Sequence, residues 1–257
     1  MDISGLFDLT GKRALVTGAS VGIGRMIADG LAAAGATVYL VARGREDLDR
    51  AVDEIRAAGG RAVGIAADLS DPAGPELVAS TYGTYEARLD ILVNNAGTMA
   101  ESSLEEFSIQ DWERVTQLCL TVPFFLTQAL LPQLRAAASD EDPARVINIG
   151  SADGIKAPFL STFPYPAAKA GLHHLTRQLG KVLGPEGIAV NAIAPGAFPS
   201  RRSAPVLAVH LDDFIAATPL RRIGRPDDIA GTVIYMASRA GAFLDGAVLS
   251  LDGGLVL

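Results

Sequence analysis

The sequence predicts one doubly wound α/β domain built on a parallel, seven-stranded sheet. Short apolar runs rich in Val, Ile and Leu recur along the chain, and most are followed by a longer segment of helical character. Strands buried on both faces and joined by crossover helices produce this alternation. No linker, tandem repeat or low-complexity tract interrupts it, so residues 1–257 are read as a single unit.

Arg13 to Thr17 is the first strand, and a glycine-rich turn passes it into an Ala/Leu-rich helix from about Gly22 to Ala34. Thr37 to Ala42 is the second. A charged amphipathic helix from about Glu46 to Ala58 follows and stops at Gly59-Gly60. Arg61 to Ala67 is the third strand, with a helix after Asp71-Pro72. Asp90 to Val93 and Arg145 to Ile149 are the fourth and fifth, separated by a long helix from about Ile109 to Ala138. Pro123 and Pro132 are expected to kink or break that helix, because proline removes a donor and clashes with the preceding turn. A helix from about Phe163 to Leu183 leads to the sixth strand, Ile188 to Ala194. The stretch from Pro195 to about Ala217 reads as irregular and is assigned as a substrate lid at about 195–217. Asp227 to Ser238 returns to helix, and Ala247 to Leu251 is the last strand.

Composition narrows the function classes. Apolar residues make up 49% of the 257 and charged residues 20%, enough to build a core and unlike a disordered chain. The net charge of −7 argues against a nucleic-acid partner. A single cysteine, Cys119, excludes an internal disulfide, and no metal site is expected. Met1-Asp2-Ile3-Ser4-Gly5 lacks the pattern of a secretory leader, and the apolar stretch from Leu118 to Leu134 is interrupted by Thr121, Pro123, Thr127, Gln128 and Pro132. A cytoplasmic protein with no membrane partner is expected.

Thr17-Gly18-Ala19-Ser20-Val21-Gly22-Ile23-Gly24 sits where the first strand becomes the first helix. Glycines there permit a tight turn and close approach of the backbone to a pyrophosphate, which the helix N-terminus attracts. Gly18, Ser20, Gly22, Ile23 and Gly24 are therefore candidate dinucleotide-binding residues. The second strand ends Val41-Ala42-Arg43-Gly44-Arg45, with no acid before Glu46. An acid there would accept from the ribose hydroxyls of NAD and repel a 2′-phosphate. Arg43 instead offers a permanently charged fork, so NADP(H) is preferred over NAD(H). The alternative is that Arg43 and Arg45 open the next helix as solvated surface.

Asn94-Asn95-Ala96-Gly97, Ser151, Tyr165 with Lys169, Pro195-Gly196 and Asp252-Gly253-Gly254 complete a recognisable set. From about Leu9 to Gly254 the chain resembles the classical short-chain dehydrogenases/reductases, most of all their β-ketoacyl reductase branch. Arg145 to Ser151 and Ile193 to Arg201 are similar to rhamnolipid-type, NADP-dependent ketoacyl reductases. The resemblance implies a Rossmann fold, oxidoreductase activity and a homotetramer. It also implies that Asp68 and Leu69 contact adenine, and that Asn95, Ala96 and Gly97 lie along the cofactor. Pro195 and Gly196, with Phe198 and Ser200, match the loop that holds the nicotinamide carboxamide, and Lys169 would also bind the nicotinamide ribose.

The chemistry agrees with this. Tyr165 and Lys169 are spaced i, i+4 and share a helix face. A nearby ammonium and an oxidised nicotinamide stabilise phenolate, so a phenol of ordinary pKa about 10 becomes a usable proton donor to a carbonyl. Ser151 follows the fifth strand at the sheet's carboxyl edge and can hydrogen-bond the same carbonyl.

The expected activity is NADPH-dependent carbonyl reduction, or the reverse secondary-alcohol oxidation, with a 3-oxoacyl thioester as the leading substrate class. The alternatives are small, sugar or cyclic ketones, and a dinucleotide-binding regulator with little turnover. Enoyl reduction expects a wider Tyr-to-Lys spacing.

One position departs from the family. Seven residues after Trp112, where the resemblance implies an asparagine in a proton relay, stands Cys119. A thiol lacks the two amide donors and the acceptor of asparagine. The relay then runs through the backbone carbonyl, takes another route or is weakened; as an ordinary residue Cys119 is a small buried apolar group. His173 and His174 read as helix surface and packing, and His210 lies in the lid. Asp153 either sets polarity beside the substrate or caps a turn with Gly154.

Overall fold

A computed structural model describes residues 3–201 and 203–257. Met1, Asp2 and Arg202 lie outside the described residues, so the reading of the N-terminus and one position of the lid have no structural counterpart. The strands are β1 Arg13–Thr17, β2 Thr37–Ala42, β3 Arg61–Ala66, β4 Ile91–Asn94, β5 Ala144–Ile149, β6 Ile188–Pro195 and β7 Val248–Leu251. They form one seven-stranded sheet in the order β3-β2-β1-β4-β5-β6-β7, and every pairing is parallel. The order reverses between β1 and β4. That reversal opens a crevice at the carboxyl ends of the strands, the usual ligand position in this architecture.

Two helical layers cover the sheet. On one face α1 (Gly22–Ala33), α2 (Arg45–Ala57) and α9 (Pro226–Ala237) bury Ile27, Leu31, Leu48, Ile55, Ile229 and Val233. On the other, α3 (Gly74–Gly83), α5 (Val122–Ala129), α6 (Leu131–Ala137) and α7 (Pro164–Leu183) bury Val78, Tyr82, Leu126, Leu134 and Leu183. The strands between them are apolar on both faces because both faces are covered.

The long helix expected over 109–138 is segmented. It runs as α4 (Ile109–Thr116), a π-helical turn (Gln117–Thr121), α5 and α6, and it bends by 60° where α5 meets α6. Pro132 opens α6 at the bend, as expected. Pro123 acts one turn earlier: it has no N–H, so the Cys119 carbonyl loses its α-helical donor, and the preceding turn widens to Val122 N–H bonding the Gln117 carbonyl. No single helix among the described residues is long and apolar enough to cross a membrane.

The stretch expected to be irregular is corrected. Residues 204–217 form α8 (Ala204–Ala217), kinked at His210, where φ is −116° and ψ is 15°. Pro205 stands in the first turn, where its missing N–H has no partner to lose and its fixed φ suits a helix.

Candidate functional site

The carboxyl edge of the sheet holds a cleft of about 540 Å³. At one end β1 runs into the glycine turn, with Gly18 at φ +63° and Gly22 at φ +62°, backbone that other residues rarely adopt. Gly24 has a different reason to be glycine. A Cβ there would stand 2.3 Å from the Gly18 carbonyl oxygen and 2.4 Å from Asn95 Nδ2. Asn95 occupies that space and ties β4 to the turn: its Nδ2 donates to the Thr17 carbonyl (2.8 Å) and the Gly18 carbonyl (3.2 Å). Thr17 Oγ1 in turn accepts from the backbone N–H groups of Asn95 and Ala96, each at 2.9 Å.

Gly18, Ser20, Gly22, Ile23, Gly24, Arg43, Asp68, Leu69, Asn95, Ala96, Gly97, Ser151, Tyr165, Lys169, Pro195, Gly196 and Ser200 all line this one cleft. Arg43 is 77% exposed at the end of β2, with its guanidinium 3.7 Å from Asp68. The helix N-terminus, the close-approach glycines and an open arginine at the second strand suit a phosphorylated dinucleotide in size and charge. Asp47, Thr98 and Arg114 also line the cleft and were not foreseen. Asp47 belongs to the first turn of α2, which reads from sequence only as solvated charge. Arg201 crosses to it from the loop after β6 (2.6 Å).

Two expected residues lie outside the lining. Phe198 is buried and lines a separate cavity of about 140 Å³. Its ring fills the space over Gly224, where a Cβ would sit 2.2 Å from it, so this side chain is core rather than cleft wall. Cys119 is fully buried in the π-helical turn against Val115, Ala168 and Tyr165. Its thiol accepts from the Thr98 N–H (3.4 Å) and donates to the Thr98 carbonyl (3.3 Å). It thus supplies one donor and one acceptor at the position where the family resemblance implied an amide.

At the other end of the cleft α7 grips the end of β5. Lys169 Nζ donates to the Ile149 carbonyl (2.6 Å) and stands 5.6 Å from the centre of the Tyr165 ring. Asn148 Nδ2 donates to Thr176 Oγ1 (2.9 Å). Ser151 is buried in extended backbone just past β5, and its Oγ accepts from the Asp153 N–H (3.1 Å). The hydroxyl proton is then left to be given to another acceptor. Burial raises the Asp153 carboxyl above the usual carboxylate range.

The two histidines divide into helix surface and packing, as the sequence reading has it: His174 is exposed and His173 is buried. Burial, and then the charges of Lys169 and Arg177, hold its pKa down at about 4. The signal was present in the spacing: Tyr165, Lys169 and His173 recur every four residues along one stripe of α7. Among the described residues no group of His, Cys, Asp and Glu is placed to hold a metal ion.

Known proteins agree with this geometry. The family model for short chain dehydrogenases matches residues 12–208. The chain belongs to the short-chain dehydrogenase family. It is 47% identical over 255 residues to the rhamnolipids biosynthesis 3-oxoacyl-[acyl-carrier-protein] reductase of Pseudomonas aeruginosa, covering 98% of each chain. It is 34% identical to gluconate 5-dehydrogenase of Gluconobacter oxydans, covering 98% of this chain and 97% of that one. Among solved structures it superposes on the Pseudomonas aeruginosa RhlG/NADP active-site complex with a TM-score of 0.95 at 46% identity, covering 98% and 99% of the two chains. The segment from the Gly18 turn to Ser200 lies within the part of this short-chain dehydrogenase that the family model matches.

Proposed function

We propose that this short-chain dehydrogenase is an NADPH-dependent carbonyl reductase, equally able to oxidise a secondary alcohol, whose leading substrate class is the 3-oxoacyl thioester. One observation carries the reading: Ser151, Tyr165 and Lys169 line the same cleft as the Gly18–Gly24 turn and Arg43. Hydride donor and proton donor therefore meet at one place.

Bound NADPH supplies the hydride. Arg43 would hold its 2′-phosphate, the glycine turn and the N-terminus of α1 would hold the pyrophosphate, and Asp68 and Leu69 would contact the adenine. Pro195, Gly196 and Ser200 would hold the carboxamide end, with Phe198 packed on Gly224 behind that loop. Ser151 gives its hydroxyl hydrogen bond to the substrate carbonyl oxygen, where negative charge develops. Tyr165 delivers the proton to that oxygen, completing the alcohol. Lys169, held by the Ile149 carbonyl, places its ammonium beside the phenol, where it favours the deprotonated form that must be re-protonated between turnovers. Cys119 ties the π-helical turn to Thr98, which lines the cleft, rather than reacting.

Aromatic pairs on and around the chain segment that joins Ser151 to Tyr165, outside the cleft lining itself, are the support for an acyl chain over a sugar. Phe159, on the segment between Ser151 and Tyr165, packs on Phe214 of α8 (5.3 Å between ring centres), and Phe107 packs on Phe163 (5.7 Å). The likeness to a gluconate dehydrogenase supports small polar ketones as the second reading.

The test follows NADPH and NADH oxidation with 3-oxoacyl thioesters, simple ketones, sugar ketones and cyclic ketones. Tyr165→Phe is expected to lower kcat by about 10²- to 10⁴-fold while NADPH still binds. NADPH binding without reduction of any ketone favours the regulator reading instead.

On this reading the enzyme works in the cytoplasm, where its cofactor is recycled, as a homotetramer. The half-exposed apolar side chains Trp112 and Phe125 on α4 and α5 support an interface. Light scattering that finds a monomer at micromolar concentration overturns it.

A further inference from the structure

The geometry points to His173 as a positioning residue for Ser151: its neutral imidazole fixes the turn from which the serine addresses the substrate carbonyl. The inference rests on the reading of Ser151 as the group that binds that carbonyl.

The turn is wound around the ring. Ser151 donates its backbone N–H to His173 Nε2 (3.4 Å). Across the turn the ring faces the Gly154 backbone, which favours its protonated form, as a carbonyl near a ring N–H does. With Nε2 accepting, that proton belongs on Nδ1. Neither neighbour tolerates a side chain. A Cβ on Gly150 would stand 2.0 Å from His173 Nε2, and one on Gly154 would stand 2.9 Å from Cε1. Gly150 is thus cut to the imidazole, and Gly154 to the imidazole together with the α7 backbone at Lys169 and Ala170, each 2.8 Å from where its Cβ would stand.

The neighbouring bonds show why this placement counts. Asn148 is tied to α7 by Thr176 and Ile149 by Lys169, so His173 makes the third consecutive tie along the same helix. Lys169 and Ser151 are thereby referred to one rigid element. The ring is neutral over the working pH range, as an acceptor from a backbone N–H must be. Lys169 and Arg177 are the cations that face it, and both keep it so.

In the wild-type protein at pH 7, ¹⁵N spectroscopy of the His173 ring is expected to show one proton on Nδ1 and a hydrogen-bonded acceptor at Nε2. His173→Phe keeps the ring and removes both nitrogens. It is expected to speed amide exchange at Ser151 and to lower kcat about tenfold, less than the roughly 10²-fold cost of losing an oxyanion donor outright. KM for NADPH should stay unchanged, and His173→Gln, which retains a donor and an acceptor, should recover most of the loss. In a Ser151→Ala background His173→Phe should cost nothing further, because the residue acts through that serine.

A ring protonated on Nε2, a wild-type kcat in His173→Phe, or a full tenfold loss added to Ser151→Ala each overturns the proposal. If the wild type reduces no ketone, the functional reading fails by itself. The ring tautomer and the Ser151 amide exchange still decide the role of His173, and the tautomer does so even if His173→Phe does not fold.

Discussion

At the amino edge of the sheet the charged side chains consume one another, whereas at the carboxyl edge the cleft is lined mainly by glycines, backbone groups and uncharged side chains. Asp90, only 2% exposed, accepts from the Arg13 N–H (2.8 Å) and from Arg88 (2.7 Å), with Lys12 at 3.7 Å. Arg145 is fully buried and donates to the Met236 carbonyl (3.2 Å), and to the Ser238 carbonyl and Asp142 (each 3.1 Å), closing the end of α9. Its guanidinium is costly to bury, and the pKa is pushed down by that burial, but every direction it points meets an acceptor. At the other edge Ser151, Arg43 and the glycine turn present hydrogen-bonding capacity to the cleft. Both edges belong to the same seven strands. Charge that is internally satisfied holds the fold together, and capacity turned toward the cleft is what a ligand can use.

The sharpest way to break this comparison is Arg145→Met. It leaves the Pro143, Met236 and Ser238 carbonyls without their donor, strips Asp142 of one of its two cationic partners, and is expected to cost about 3–5 kcal/mol of stability. Urea denaturation reads the loss, and kcat of the remaining folded enzyme should match the wild type. A fall in kcat would mean that the two edges are not separate in function. Arg43→Ala probes the opposite edge. It should raise KM for NADPH by about ten- to hundredfold, the worth of one charge-assisted bond, while leaving KM for NADH and the denaturation midpoint nearly unchanged.

A smaller effect comes from His173, an uncharged base buried between the cations Lys169 and Arg177. Its folded pKa is about 4 against an ordinary 6.5, so between these values the unfolded chain binds more protons. The stability it contributes is complete above about 6.5 and is lost as pH falls toward about 4. Asp153, whose pKa is raised, acts with the opposite sign. The difference in melting temperature between wild type and His173→Gln across this window isolates the histidine. A difference that does not change with pH overturns the assignment of its neutral state.

The strands were legible because burial on both faces demands nearly continuous apolar runs, as in Ala14 to Val16 and Val190 to Ala194, and the glycine turn because its backbone needs are specific. The cleft residues around it followed from the strand-turn-helix order. Helix α8 was not legible. Val206, Leu207, Val209, Leu211, Phe214 and Ile215 fall on several faces rather than one stripe, and Pro205 looks the same at a helix start as in a loop. The buried place of Phe198 and the partners of His173 were not legible for a shared reason. A residue's side chain is aimed by what packs against it from distant sequence, here Gly224 in one case and Gly150 with Gly154 in the other.

The contact between Arg201 and Asp47 bears on the rhythm of turnover. The loop after β6 lies over the first turn of α1, close enough that a Cβ on Gly22 would stand 2.9 Å from Ser200 Cβ, and Arg201 then reaches Asp47 on the far side. If the nucleotide of the proposed reaction sits beneath that strap, it leaves after the pair opens. Because Arg201 is 64% exposed, such a pair is weak and is screened by salt. On that reading release of spent cofactor is expected to quicken as ionic strength rises, and the dwell time of the nucleotide becomes a property the solvent can tune without touching the chemistry beneath.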